Sequence, residues 1–291
     1  MVYLKEFKFP TESDESYFCD GERDIKGNIK KNQMTCFNTL YPFRILSKIG
    51  FEEIYCDTPI TILYGGNGSG KTTVLNVIAE KLKLQRTALF NKTPFFIDYL
   101  KYCKVKKNTI PKDSKVITSD DVFNYMFNVR ATNQEIDFER DRLFKEYNNE
   151  CGRTNFIFTN NNMEKYDKMI IIPKKCTKSH YVNQNLMKNV KTGSNGESAL
   201  SYFHEKIEDD KLYLLDEPEN SLSPENQIKL AEYIENAAWA CGCQFIIATH
   251  SPFLLGMKRS KIYDLNSNPV DVKSFNELPI IQTYKKFFEE H

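Results

Sequence analysis

The stretch Ile60-Thr61-Ile62-Leu63-Tyr64-Gly65-Gly66-Asn67-Gly68-Ser69-Gly70-Lys71-Thr72-Thr73 decides the fold. Its first five residues are β-branched, aliphatic or aromatic and read as a strand. From Lys71 to Leu84 the apolar residues Val74, Leu75, Val77, Ile78 and Leu82 recur at helical spacing. Between strand and helix, residues 65–72 match G-x-x-x-x-G-K-[ST] in full, in the context a phosphate-binding loop requires. Glycines turn backbone N–H groups inward with no Cβ in the way, so Gly65, Gly66, Asn67, Gly68, Ser69 and Gly70 would cradle phosphate oxygens at a helix N-terminus, with Thr73 continuing the cradle. Lys71 would reach the β- and γ-phosphates of ATP, and the Thr72 hydroxyl would ligate Mg²⁺.

Downstream, Leu212-Tyr213-Leu214-Leu215-Asp216-Glu217-Pro218 is an apolar strand ending in two carboxylates. In a parallel sheet such a strand delivers both acids to the edge that carries the phosphate loop. Asp216 would join the Mg²⁺ shell, and Glu217 would orient or deprotonate the attacking water. Residues 224–238 read as a helix and residues 245–248 as a second buried strand. This alternation implies an α/β fold with a largely parallel sheet and right-handed crossovers. Residues 43–46 and 51–55 read as further strands, so the opening is expected to be strand-rich.

The remaining composition narrows the class. The 291 residues carry 40 Lys+Arg against 39 Asp+Glu, a net charge of +1, so any nucleic-acid contact has to be local. With 41% hydrophobic residues the chain supports a sizeable core, and no apolar run approaches the ~18 residues of a spanning helix. A cytoplasmic protein without membrane contact is the expectation. The eight cysteines, at 19, 36, 56, 103, 151, 176, 241 and 243, form no C-x-x-C pair and read as small core residues. Residues 86–190 are less regular and are expected to be a helical and loop insertion in a single domain, helical over 120–147. Two lysine-rich segments, Lys101 to Lys115 and Lys165 to Lys191, lie in it and across its end.

Taken together, Gly-Gly-Asn-Gly-Ser-Gly-Lys-Thr-Thr, Leu-Leu-Asp-Glu-Pro-Glu-Asn-Ser-Leu-Ser-Pro and Phe245-Ile246-Ile247-Ala248-Thr249-His250-Ser251-Pro252 resemble the ABC-type ATPase superfamily. The wording is most similar to its soluble branch: DNA-repair and chromosome-maintenance heads, the ATPase half of overcoming-lysogenization-defect nucleases, and bacterial proteins labelled "AAA family ATPase". The resemblance covers residues 40–85 and 190–265. It implies a P-loop NTPase core with an N-terminal antiparallel β part and a helical insertion. It also implies that His250 is the switch histidine at the γ-phosphate, and that Ser221 lies in a loop spanning the interface of an ATP-bound homodimer.

The family's signature segment corresponds to Gly193-Ser194-Asn195-Gly196-Glu197, which departs from Leu-Ser-Gly-Gly-Gln at three positions. Ser194 and Gly196 would still meet the γ-phosphate held by a second protomer; the alternative is a plain helix cap completed by Glu197. No clear Q-loop stands out; by order it falls near Ser119 or Asp120, and Tyr41, Phe43 and Arg44 are the candidates to stack on adenine. The leading expectation is an ATP-hydrolysing dimer switch with Glu217, His250 and Lys71 as catalytic groups. It would act in a DNA-related or antiviral-defence complex with a separate effector, a nuclease or toxin in trans. The alternative is the ATPase subunit of a membrane transporter; a small-molecule kinase would leave Ser194, Ser221 and His250 idle.

Overall fold

The computed structural model describes residues 1–19, 39–151, 177–189 and 195–291. Gly193, Ser194 and most of the second lysine-rich segment lie outside the described residues. The chain divides into two compact units, one of residues 1–123 and 195–291 and the other of residues 124–194. In the second unit, a long helix that begins at Ser119 continues to Cys151, and Lys178–Asn185 forms a further helix. Thr177 caps that helix, its hydroxyl accepting from the His180 N–H.

The first unit is built on a six-stranded sheet. In chain order its strands are β3 (Ile60–Tyr64), β5 (Lys115–Thr118), β6 (Leu212–Asp216), β7 (Gln244–Thr249), β8 (Lys261–Asp264) and β9 (Asp271–Lys273), and the spatial order is β5-β6-β7-β3-β8-β9. All neighbours are parallel except β8 and β9. Every residue of β3 and β7 is buried, as expected of strands covered on both faces. A second, three-stranded sheet pairs β1 (Leu4–Lys8) antiparallel with β2 (Glu53–Tyr55) on one side and with β4 (Lys104–Lys107) on the other. The expected α/β fold with a mostly parallel core and an N-terminal antiparallel part is thus present.

Register places the chemistry. Leu63 of β3 and Asp216 of β6 both pair with Ala248 of the central β7, so the three strands end level. The residues that follow, Gly65 onward, Glu217 and His250, therefore emerge at one edge of the sheet. The helix Lys71–Leu82 starts directly from the glycine loop and buries Val74, Leu75, Val77 and Ile78 against β6 and β7. Burying four such side chains contributes on the order of 6–10 kcal/mol before entropy is counted, which fixes the loop between strand and helix.

One expected strand is absent. Residues 43–46 form turns that lead into a short 3₁₀ segment. Their two fully buried apolar residues, Phe43 and Leu46, stand three apart, which suits a turn and not the alternation of a strand, and Arg44 takes a left-handed φ of 60° that breaks any extended run. Glu15, itself buried, holds this segment: its Oε2 accepts from the Arg44 N–H and the Ser47 hydroxyl, both at 2.6 Å.

A buried amide joins the two sheets. Gln244 opens β7 with no exposed surface; its Oε1 accepts the N–H groups of Tyr3 and Leu4 at 2.7 and 2.8 Å, and its Nε2 donates to the Leu4 carbonyl at 2.8 Å. All three bonds fall on the start of β1, which is thereby tied to the central strand of the large sheet.

Candidate nucleotide site

The glycine loop turns through two left-handed residues, Gly68 at φ 81° and Gly70 at φ 94°. Side chains are excluded elsewhere by proximity: a Cβ on Gly65 would stand 2.3 Å from the Ser69 hydroxyl oxygen and 2.8 Å from its Cβ. The resulting cavity of about 320 Å³ is lined by Ile45, by Asn67 through Thr73, and by Glu217. Lys71 is 5% exposed, and its ammonium donates to the carbonyls of Gly65 at 2.7 Å and Gly66 at 3.0 Å. Its third proton has a carboxylate oxygen, Glu217 Oε1, at 3.7 Å.

The same oxygen of Glu217 lies 3.8 Å from His250 Nδ1. Glu217 adopts a left-handed φ of 48°, an uncommon conformation for a residue with a side chain, held by its N–H donating to the Ala248 carbonyl at 2.9 Å. Asn220 Nδ2 donates to the other carboxylate oxygen at 3.2 Å. Glu217 is thus pinned at the end of β6, between the lysine of the loop and the imidazole at the end of β7.

Thr72 and Asp216 meet where the loop enters the helix, the Thr72 hydroxyl donating to Asp216 Oδ1 at 3.2 Å. Burial pushes the Asp216 carboxyl up to about 6; the Thr72 hydrogen bond opposes the shift, the Glu217 charge adds to it, and the charges of Lys71 and Arg86 oppose it. A hydroxyl and a carboxylate are hard oxygen donors, the kind Mg²⁺ takes one or two of from protein alongside phosphate oxygens and water. Among the described residues no group of three or more His, Cys, Asp or Glu side chains is arranged to hold a metal, so the donor set fits a cation shared with phosphate and not a closed protein cage.

A second cavity of about 410 Å³ adjoins this pair, lined by Thr72, Asp216, Tyr41, Arg86, Ser119 and Asp120 among others. Asp121, one residue on, is occupied locally: its Oδ2 accepts the Thr118 N–H and hydroxyl, both at 2.9 Å. Phe43 is buried in the core, stacked on Phe18 and edge-on to Tyr99, so its ring is not available to a base. Gly196 is buried against Asn226 of the helix Pro224–Ala240, and Ser221 is exposed in a left-handed loop at φ 68°. Neither lines the phosphate-loop cavity.

Two polar groups here escaped the sequence reading. Arg86 has Nε and Nη1 atoms that are buried without hydrogen-bond partners, its guanidinium lies 4.2 Å from the Phe90 ring centre, and burial lowers its pKa. Nothing in its sequence neighbourhood marks it. Glu219, 5% exposed, receives the Thr249 hydroxyl at 2.6 Å and the His250 N–H at 3.0 Å on Oε1. Its signal was visible as a third carboxylate in Asp216-Glu217-Pro218-Glu219.

A family model described as ABC transporter matches residues 56–220, and one described as AAA ATPase domain matches residues 195–255. Among solved structures, the chain is similar to one described as a metal-chelate type ABC transporter in an inward-facing conformation, at 14% identity, 81% coverage of this chain, 80% of that chain and a TM-score of 0.37. It is also similar to the ATP-binding cassette MJ0796, in a dimeric post-hydrolysis state bound to ADP and Pi, at 14% identity, 78% and 90% coverage and a TM-score of 0.36. No curated protein matches. Among the described residues no helix is long and apolar enough to cross a membrane. The ABC transporter model spans more than half of the 291 residues, and the chain belongs to that family: it is an ABC-type ATPase, which binds and hydrolyses ATP.

Proposed function

We propose that this ATPase works as a nucleotide-driven switch in which two copies close head to tail over two ATP molecules. The observation that carries the catalytic reading is the position of Glu217 Oε1, 3.7 Å from Lys71 Nζ and 3.8 Å from His250 Nδ1, at the mouth of the glycine cradle. A water held by Glu217 attacks the γ-phosphorus in line, the carboxylate takes its proton, and the bond from the γ-phosphorus to the β–γ bridging oxygen breaks, so that ADP leaves. Lys71 neutralises the oxygens of the transferring group, and the His250 imidazole donates to them from the other side. Thr72 and Asp216 would hold Mg²⁺, which when bound offsets charge developing on the phosphates.

The outer side of the cradle supports the dimer. Gly66, Asn67, Gly68 and Thr72 are exposed, and so is Ser221 in the loop that follows Glu217. A second copy would cover them, bringing Ser221 with Ser194 and Gly196 to the γ-phosphate. Hydrolysis then removes the ligand that joins the halves.

In the wider role, the protein would serve a DNA-related or antiviral-defence complex whose effector, a nuclease or toxin, is a separate chain. The resemblance to the soluble branch supports this, as do Lys104, Lys107 and Lys112, exposed on and after edge strand β4. The test is Glu217→Gln: ATP binding is retained, turnover falls by at least about 100-fold, and dimer accumulates with ATP and Mg²⁺ in size-exclusion chromatography. Monomer alone under those conditions rules out the sandwich, and unimpaired turnover removes Glu217 from the chemistry.

A further inference from the structure

The His250 imidazole stands at a strand end with 47% of its side chain exposed, yet catalysis at a phosphate requires a fixed ring. Something must hold it, and the structure shows a buried carboxylate beside it. Glu219 has 4% of its side chain exposed. Its hydrogen bonds all fall on one oxygen and on two consecutive residues, the Thr249 hydroxyl and the His250 N–H, while Oε2 is buried without a partner. The one basic group within ion-pair distance, among the described residues, is His250 Nδ1 at 3.4 Å from the same Oε1.

A buried carboxylate satisfied on one oxygen alone is costly unless a donor or cation completes it. Its placement therefore favours a proton on Nδ1. Glu217 lies on the same ring edge at 3.8 Å, so both acids face Nδ1, and Nε2 makes no hydrogen bond among the described residues. A carboxylate fixed on one edge of the ring sets the ring's orientation and which nitrogen is presented outward.

We propose that Glu219 is a positioning residue: it anchors the main chain of Thr249 and His250 and holds the imidazole by Nδ1, presenting Nε2 to the terminal phosphate. This rests on the reading of His250 as a γ-phosphate contact, so the experiment separates the two. In Glu219→Gln the amide oxygen still accepts from Thr249 and His250, but the charge beside Nδ1 is gone.

ATP turnover is measured for Glu219→Gln, His250→Ala and the double variant. Glu219→Gln lowers kcat roughly tenfold with KM unchanged, and adds no further loss once His250 is alanine. An unchanged kcat in Glu219→Gln, or the same tenfold loss in the His250→Ala background, overturns the positioning role. Full turnover in His250→Ala overturns instead the phosphate contact on which the proposal rests.

Discussion

Asp216→Asn is expected to make the protein more stable while abolishing its activity. The Asp216 carboxyl is raised by burial to about 6 from an ordinary 3.8. Between those values the folded chain keeps a proton that the unfolded chain has released, so stability falls as pH rises through that window and the full penalty applies above it. The separation corresponds to about 3 kcal/mol at pH 7.5. Asparagine has the same shape and no charge, and its amide oxygen can still accept the Thr72 hydroxyl. At roughly 2.1 cal/mol/K of unfolding entropy per residue, 3 kcal/mol raises the melting temperature of a chain this long by about 5 °C. At pH 5 the parent carboxyl is largely protonated and the advantage falls to roughly half. Differential scanning calorimetry in a chelator-containing, nucleotide-free buffer at the two pH values measures both. A variant that melts no higher than the parent at pH 7.5, or a difference that does not narrow at pH 5, refutes the burial argument. The same variant should show no ATP hydrolysis, since the oxygen that faces Thr72 no longer carries charge.

Lys71→Ala removes the ammonium inside the cradle, and calorimetric titration should then detect no ATP binding; an unchanged affinity contradicts the loop assignment. Gly70→Ala forces a side chain into φ 94° with its Cβ 3.2 Å from Leu46 Cδ2, and should cost about 1–3 kcal/mol in urea denaturation along with weaker nucleotide binding. Gln244→Leu leaves the Tyr3 and Leu4 N–H groups and the Leu4 carbonyl unpaired, and a destabilisation below about 1 kcal/mol would show that β1 holds without it. If Lys104, Lys107 and Lys112 contact DNA, retention on a DNA column at low salt should fall steeply as salt rises and be weakened by their alanine variant; no retention at low salt removes DNA from the proposal.

The centre of the large sheet was legible because its signals are local. Ile60–Tyr64, Leu212–Asp216 and Gln244–Thr249 are largely apolar runs, each leading into residues whose chemistry is recognisable alone, and their parallel pairing follows from the alternating pattern. The small sheet was hidden because its pairing is not local. No clean alternation announces β1, since Leu4, Glu6 and Phe7 are all buried and the strand is fixed by an amide some 240 residues away. β4 is Lys-Val-Lys-Lys, a composition that reads as solvated surface, and becomes a strand only because β1 offers it an edge, with Lys106 paired to Glu6 at 2.8 Å. Residues 43–46 failed in the opposite sense, their apolar character serving a turn clamped by Glu15. At the site, residue types with known chemistry were readable, whereas Arg86 and Glu219 matter through contacts that only the folded chain creates.

The Gln244 amide has a mechanical meaning. β7 begins at the residue that grips the N-terminal strand and ends at Thr249, next to the imidazole, so a single extended rod of about 17 Å joins the two. Flanked by β6 and β3 along its whole length, that rod has no room to buckle. The first residues of the chain and the histidine end are thus joined through one buried strand held on both sides.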